Sequence, residues 1–357
     1  MKERRQQGLL PELELFWSDH YSWLKDRGYL LRPRYLPEWK RGAGKPEDGV
    51  MPAFSFVVDA TRISDGSLVL IKKIKPDTSD FPVFHEDQMS RRFSSEPLAS
   101  DPKNRCVRMI EILSVPDAPD LQLIVMPFYY DWKCVPFLTI GEAVEFMSQI
   151  FEGLQFMHNN HIWHGDVKAN NILMDASPLF VEPINPWKPR LTRDLTRIAH
   201  FRNRLRHPVK YYFIDFDLSG VHDSATGPPH IYAGYGGTRG VPEFANAKDD
   251  EECDPFAVDV YCLGNLIRTY FTEKMRGFEF MDGLVSDMTN KDPTKRPTID
   301  EAVRRFAEIK AGLSGWKLRS RCATGNEGRL SRLFRFTPHW CRQLYYTARR
   351  IPSIPSP

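Results

Sequence analysis

The sequence predicts an α+β chain in which the strands come first and the helices follow. Three observations predict it. Between Phe54 and Met126 the apolar residues gather in short runs parted by turn residues. From 141 to 158 they recur at helical spacing instead. Between that helix and Leu218, two strand-like runs each stand beside chemically loaded residues, the stretch His164 to Leu173 and the stretch Phe213 to Leu218.

The bulk composition permits such a fold. The chain has 357 residues, 41% hydrophobic and 27% charged, which are ordinary globular values with room for one large or two modest domains. The net charge of +3 is uneven: residues 316–357 hold nine Lys/Arg and one acid, about +8, so the rest sits near −5. A mildly acidic body with a basic tail argues against a wholesale nucleic-acid binder. Six cysteines show no metal-like spacing and read as reduced thiols. The first ten residues are charged and polar, unlike a signal peptide. The longest apolar run, Leu121 to Phe128, is too short to cross a bilayer. The expectation is an intracellular protein, cytoplasmic or nuclear, without a transmembrane segment.

Taken in order, residues 10–27 carry Leu13, Phe16, Trp17, Tyr21 and Leu24 at helical spacing, ended by Gly28, and predict a helix packed on the domain. Residues 29–50 are rich in Pro, Arg and Gly and read as a covering loop. Phe54 to Ala60 and Leu68 to Ile74 read as a strand pair joined by a turn at Ser64 to Ser67, with Gly66 where positive φ is useful. Residues 83–93 read as a helix with Met89 and Phe93 buried. Arg108 to Leu113 and Leu121 to Met126 read as further strands. In the helix at 141–158, Val144, Met147, Ile150, Phe151, Leu154 and Met157 form a core stripe. Between Arg190 and Lys210 seven Lys/Arg stand against one acid, which reads as a helical or irregular insertion with a solvated basic surface.

The chemistry lies in His164-Gly165-Asp166-Val167-Lys168-Ala169-Asn170-Asn171 and, some forty residues on, Ile214-Asp215-Phe216-Asp217. A carboxylate, a lysine, an amide and a second carboxylate beside strand-like runs are what phosphoryl transfer from a metal-bound nucleotide requires. Asp166 orients or deprotonates an acceptor hydroxyl, Lys168 neutralises the moving phosphoryl group, and Asn171 and Asp215 hold Mg²⁺.

These stretches resemble the catalytic and metal loops of the eukaryotic protein kinase family. Val69-Leu70-Ile71-Lys72 is similar to its Val-Ala-Ile-Lys, Val241-Pro242-Glu243 to its Ala-Pro-Glu, Asp259-Val260-Tyr261-Cys262-Leu263-Gly264 to its Asp-Val-Trp-Ser-Leu-Gly, and Asp292 to Pro297 to its Asp-Pro-x-x-Arg-Pro. The resemblance runs from about Phe54 to Ile309. The tryptophan-rich start and the long basic insertion also resemble a divergent protein-kinase-like branch found in fungi. It implies a bilobal fold, with a β-rich N-lobe holding one helix at about 44–127 and a larger, mainly helical C-lobe at about 131–315. That domain, 44–315, would carry a basic insertion at about 175–210, after a helical extension at 1–43 and before a basic tail at 316–357. It implies ATP and Mg²⁺, with Lys72 on the α/β-phosphates, Glu86 as its partner (Gln88 and Lys73 are the competing assignments), and adenine against the backbone of Pro127 and Phe128 with Met126 behind. Glu243, Asp259 and Arg296 become architectural: Arg296 pairs with Glu243, and Asp259 braces the catalytic loop.

Three departures stand out. The family's Gly-x-Gly-x-x-Gly falls on Val50, Pro52 and Ser55, so the glycine-rich loop is missing. The metal motif ends in Asp217 rather than glycine, a carboxylate that either adds a metal ligand or repels phosphate. Gly165 replaces the arginine that receives an activation-loop phosphate, so activity is expected not to depend on such phosphorylation. The first expectation is an ATP-dependent kinase acting on Ser/Thr hydroxyls of proteins, since Lys168 favours these over Tyr within the family. The alternative is a pseudokinase scaffold. A small-molecule kinase, which shares His-Gly-Asp, ranks third because Lys168, Val241 to Glu243 and Asp292 to Pro297 belong to protein kinases. The basic insertion or tail offers a surface to an acidic partner. The tail mixes aromatics and arginines and is expected to pack on the fold or to be partly disordered.

Overall fold

Successive side chains of a strand point to opposite faces, so a sheet with two different neighbours needs two different residue sets. The computed structural model describes residues 10–40, 45–74, 86–233, 240–245 and 251–356. The chain divides into two units. The first is Met1–Ser79, Val107–Tyr130 and Phe180–Phe201; the second is Asp80–Cys106, Asp131–Leu179 and Arg202–Pro357.

The first unit is built on an antiparallel sheet of β1 (Tyr29–Leu31), β2 (Val57–Arg62), β3 (Leu68–Ile74), β4 (Glu111–Val115) and β5 (Ala118–Pro127), ordered β1-β2-β3-β5-β4. Val58, Ala60, Val69, Ile71, Leu123 and Val125 form one buried face, covered by Trp17, Leu24 and Tyr35. The predicted helix at 10–27 is divided into α1 (Leu15–Asp19) and α2 (Tyr21–Asp26). At the break, His20 turns its Nδ1 onto the Phe16 carbonyl at 2.7 Å and its Nε2 onto Asp117 at 2.8 Å. Gly28 follows at φ +90°, and Gly66 turns the β2–β3 hairpin at φ +72°. The predicted covering loop contains the edge strand β1. Residues 32–56 then lead to β2, which starts at Val57 rather than Phe54. The basic insertion also contributes a hairpin, β9 (Ile184–Asn185) with β10 (Lys188–Thr192), which was not expected. Its Asn185 side chain accepts the N–H groups of Trp187 and Lys188 and closes the turn.

The second unit holds α3 (Glu86–Ser94) and is centred on α4 (Ile140–Asn159). Thr139 caps α4 by accepting the Glu142 N–H, and Glu142 accepts the Leu138 N–H in return. The predicted stripe from Val144 to Met157 is buried. Two short ladders follow, β7 (Ile162–Trp163) with β12 (Gly220–Val221), and β8 (Ile172–Asp175) with β11 (Lys210–Phe213). Then come α5 (Pro242–Ala245), α6 (Pro255–Ile267), α7 (Asp282–Met288), α8 (Ile299–Gly312), α9 (Gly315–Arg319) and α10 (Arg329–Ala348). Within the stretch read as a solvated basic surface, Arg204 is buried, donating to the Val135 and Pro136 carbonyls over the Phe137 ring. Arg190, Arg193 and Arg197 are exposed. The tail is helical, with His339, Gln343 and Tyr346 buried. All six cysteines carry free thiols. Among the described residues no helix is long and apolar enough to cross a membrane.

Candidate active site

In the second unit, α4 delivers the chain through β7 to the loop at His164, which has no ladder to satisfy its backbone. A buried carboxylate does so instead. Asp259 of α6, fully buried, accepts the His164 N–H at 2.7 Å, the Gly165 N–H at 2.9 Å and His158 Nε2 at 3.0 Å. The brace expected from the resemblance is therefore present. Gly165 lies at φ +78°, and a Cβ there would run into the Leu218 carbonyl. No side chain fits, which explains glycine where the family has arginine.

Asp166 is next. Its N–H meets His164 Nδ1 at 3.3 Å, and its Oδ2 accepts from Lys168 Nζ and from Asn171 Nδ2, the latter at 2.8 Å. Asn171 Nδ2 also reaches the Asp166 carbonyl at 3.0 Å. With that nitrogen committed to Asp166, Asn171 Oδ1 is the atom a cation would take. Burial lowers the His164 pKa against the opposing pull of Asp259, Asp166 and Asp215, so the ring is neutral. The loop is held from its far side by the Trp132 indole, which donates to the Ala169 carbonyl at 3.1 Å.

The second loop is stitched to the first. Ile214 N–H donates to the Asn171 carbonyl at 3.0 Å, and Ser219 Oγ to that of His164 at 2.8 Å. Asp215 takes φ +68°, while Phe216 is fully buried between Phe93 and His164. Carboxylate oxygens of Glu86, Asp215 and Asp217 lie within 4.8 Å of one another. Like charges this close repel, and hard oxygen donors of this kind suit a divalent cation such as Mg²⁺. The residues present therefore fit the metal. The sequence left the role of Asp217 open; the fold brings it to Glu86 and Asp215, a proximity across some 130 residues that no local pattern reveals. Gln88, the competitor of Glu86, is exposed while Glu86 is buried.

In the first unit, Val57 pairs with Lys72 and Asp59 with Leu70, while Leu70 also pairs with Met126. These residues share the sheet face opposite Trp17 and Leu24. Lys73 faces the other way, with Nζ 4.7 Å from the Phe16 ring centroid, so the lysine on the face opposite Trp17 is Lys72. Phe128 gives its N–H to the Leu68 carbonyl at 3.2 Å, and Pro127 has none. Trp187 of the insertion donates to Asp59 at 2.6 Å and meets the Phe128 ring edge-on at 5.3 Å.

The architectural pair is also in place. Arg296 makes two 2.6 Å bonds to Glu243 and donates to the carbonyls of Asn290 and Ala257. Residues 234–239 of the glycine-rich stretch before Glu243 lie outside the described residues.

The chain is similar to known proteins. Residues 53–181 match the family model described as protein kinase domain. The protein "Putative serine/threonine-protein kinase R436" of Acanthamoeba polyphaga mimivirus is 23% identical over 194 residues, 47% of this chain and 56% of that protein. The match thus spans little more than half the length of that relative. A protein kinase domain implies ATP and a divalent metal in general. The chain is thus similar to protein kinases over residues 53–181 by the domain match and over 194 residues by this relative.

Proposed function

We propose that the chain is a protein kinase that transfers the γ-phosphoryl group of ATP to Ser/Thr hydroxyls of protein substrates. The observation that carries this reading is the cluster of Asp166, Lys168 and Asn171 hung from buried Asp259. Asp166 accepts the hydroxyl proton as the hydroxyl oxygen bonds to the γ-phosphorus and the bond to ADP breaks. Lys168, with its side chain 44% exposed, reaches the transferring group and supports Ser/Thr as acceptors. Asn171 and Asp215, with Asp217 alongside, would hold Mg²⁺, which when bound neutralises phosphate charge. Lys72, on the sheet face opposite Trp17, takes the α/β-phosphates, and Met126 backs the base.

One observation favours a second reading, a binding scaffold with weak or no transfer: among the described residues 32–40 and 45–56 between β1 and β2 there is no strand pair and the one glycine is Gly49. The test is Mg·ATP binding and transfer to a generic Ser/Thr peptide by wild type, Asp166→Asn and Asp215→Asn. Loss of a general base is expected to lower transfer by roughly 10²–10⁴-fold. Wild type that transfers no faster than either variant, whether or not it binds nucleotide, sinks the kinase reading and leaves the scaffold.

A further inference from the structure

A helix packed on a domain ordinarily turns its apolar side inward and its charges outward. Along residues 336–348, α10 of the second unit does the reverse. Its inner side is polar: His339 and Gln343 are buried there with Tyr346, and Arg342 is half-buried. Its outer side carries Phe336, Trp340 and Leu344 at successive turns, with Tyr345 beside them, and no charged residue. Phe336, Leu344 and Tyr345 are each more than half exposed. Trp316 of α9, 60% exposed, widens the patch. Its ring lies 5.5 Å from that of Trp340, which lies 6.3 Å from that of Phe336. Large aromatic side chains gathered on an exposed surface mark a place where something docks.

The charge around the patch restricts the partner. After Glu327 the sequence given holds no acid and six arginines. Arg329, Arg332 and Arg335 precede the patch, Arg342 lies within its span, and Arg349 and Arg350 follow it. Arg349 and Arg350 are exposed, and Lys317, next to Trp316, lies 3.7 Å from Glu279. A second copy of the chain would bring arginines against arginines. Acidic side chains of a protein match the arginines but give the uncharged aromatic centre no gain. An anionic lipid surface meets both: its phosphates and carboxylates take the arginines, and the zone beneath the headgroups takes Trp, Tyr, Phe and Leu. Among the described residues no helix is long and apolar enough to cross a membrane, so α10 would lie along one.

We propose that the outer face of α10, together with Trp316, docks the chain on the surface of an anionic lipid bilayer. The helix lies in the plane of the interface. Phe336, Leu344 and the two indoles enter the boundary between headgroups and acyl chains, and the arginines at either end hold the headgroups. This surface uses none of the residues assigned to phosphoryl transfer, and it does not rest on the kinase reading above.

The test mixes the full chain with vesicles of phosphatidylcholine holding about one-third phosphatidylserine, and with vesicles of phosphatidylcholine alone. Sedimentation should carry the chain down with the first and about tenfold less with the second, and the bound share should fall as salt rises from about 0.1 M to about 0.5 M. Brominated acyl chains should quench tryptophan emission, a readout that needs no variant. Phe336→Ser with Leu344→Ser removes apolar area at two exposed positions and should weaken binding about tenfold or more. Arg349→Gln with Arg350→Gln should weaken it about tenfold. A chain that stays in solution with phosphatidylserine vesicles would overturn the proposal. So would sedimentation without quenching, or a serine variant that binds as well as wild type, since charge alone would then hold the chain. Polyglutamate that displaces the chain from vesicles at equal charge would assign the patch to an acidic protein and overturn the lipid surface. Concentration-dependent dimers that the serine variant lacks, and that vesicles do not disperse, would assign the face to a second copy and overturn it likewise.

Discussion

Two stretches of irregular backbone matter most here, and they are held by opposite charges. The loop at His164 in the second unit is gathered by an anion: buried Asp259 accepts two of its N–H groups. Residues 32–56 in the first unit are gathered by cations. Arg32 donates to the Val50 carbonyl and pairs with Asp59, while Arg34 donates to the Asp48 carbonyl and pairs with buried Glu14. Backbone without a ladder must place both its donors and its acceptors, and each unit solves one half with one buried group. The difference has a consequence. The brace on the loop at His164 comes from another element, which under the proposed function leaves the side chains of Asp166, Lys168 and Asn171 to the reaction. In residues 32–56 the loop's own arginines do the bracing, so a segment that a glycine-rich hairpin would leave supple is tied to the sheet.

The largest effect should come from cutting the anion. Asp259→Ala leaves the His164 and Gly165 N–H groups unpaired. At about 1–3 kcal/mol for each stranded group, roughly 2–6 kcal/mol of stability is expected to go, with transfer lost alongside. Urea unfolding and the peptide assay read the two. Retention of transfer by a folded Asp259→Ala protein would show that the loop holds its own shape.

Cutting the cation comes next. Arg34→Ala strands Glu14 at 2% exposure, and breaking a buried pair in this way costs about 3–5 kcal/mol. Hydrogen exchange should quicken in residues 45–56 before it does in β3 and β5. Uniform quickening across the sheet would break the comparison, because Arg34 would then serve the whole unit rather than the segment.

Gly165→Ala sharpens the contrast at a single position. A left-handed alanine costs about 1–2 kcal/mol, and forcing its Cβ against Leu218 adds about 1–3 kcal/mol. Gly165→Arg, which restores the residue usual in the family, should do no better. A Gly165→Arg protein as stable as wild type would mean that the Leu218 carbonyl moves aside freely.

How much of this was legible in the sequence follows from how local each signal is. The strand pair, the α4 stripe, the pairing of Arg296 with Glu243 and the Asp259 brace could all be read, because periodicity and motif order encode them. Three things could not. The His20 break in the first helix depends on a bond to Asp117, far along the chain. The edge strand β1 is three residues long and pairs across the 25-residue segment that replaces the glycine-rich loop. Asp217 meets Glu86 only once α3 and the loop around Phe216 have packed through Phe93. Composition misread the insertion for a related reason: a basic run looks solvated, yet Arg204 is buried because three backbone carbonyls and a phenyl ring surround it.

The smallest effect concerns pH and separates buried neutral groups from the charged braces. Burial lowers the pKa values of His164 and His339 in the folded protein, against an unfolded value of about 6.5. Below that value the unfolded chain takes up protons that the folded protein refuses, so stability falls as pH falls. Above it both states are neutral and the contribution is constant. The slope is at most about 1.4 kcal/mol per pH unit for each histidine. Unfolding free energies at pH 7.5, 6.5 and 5.5 should therefore be flat over the first step and decline over the second. His339→Gln keeps a neutral polar side chain at a buried position of α10, so this variant should show a shallower decline. An undiminished slope would assign the acid sensitivity to His164 and the catalytic loop.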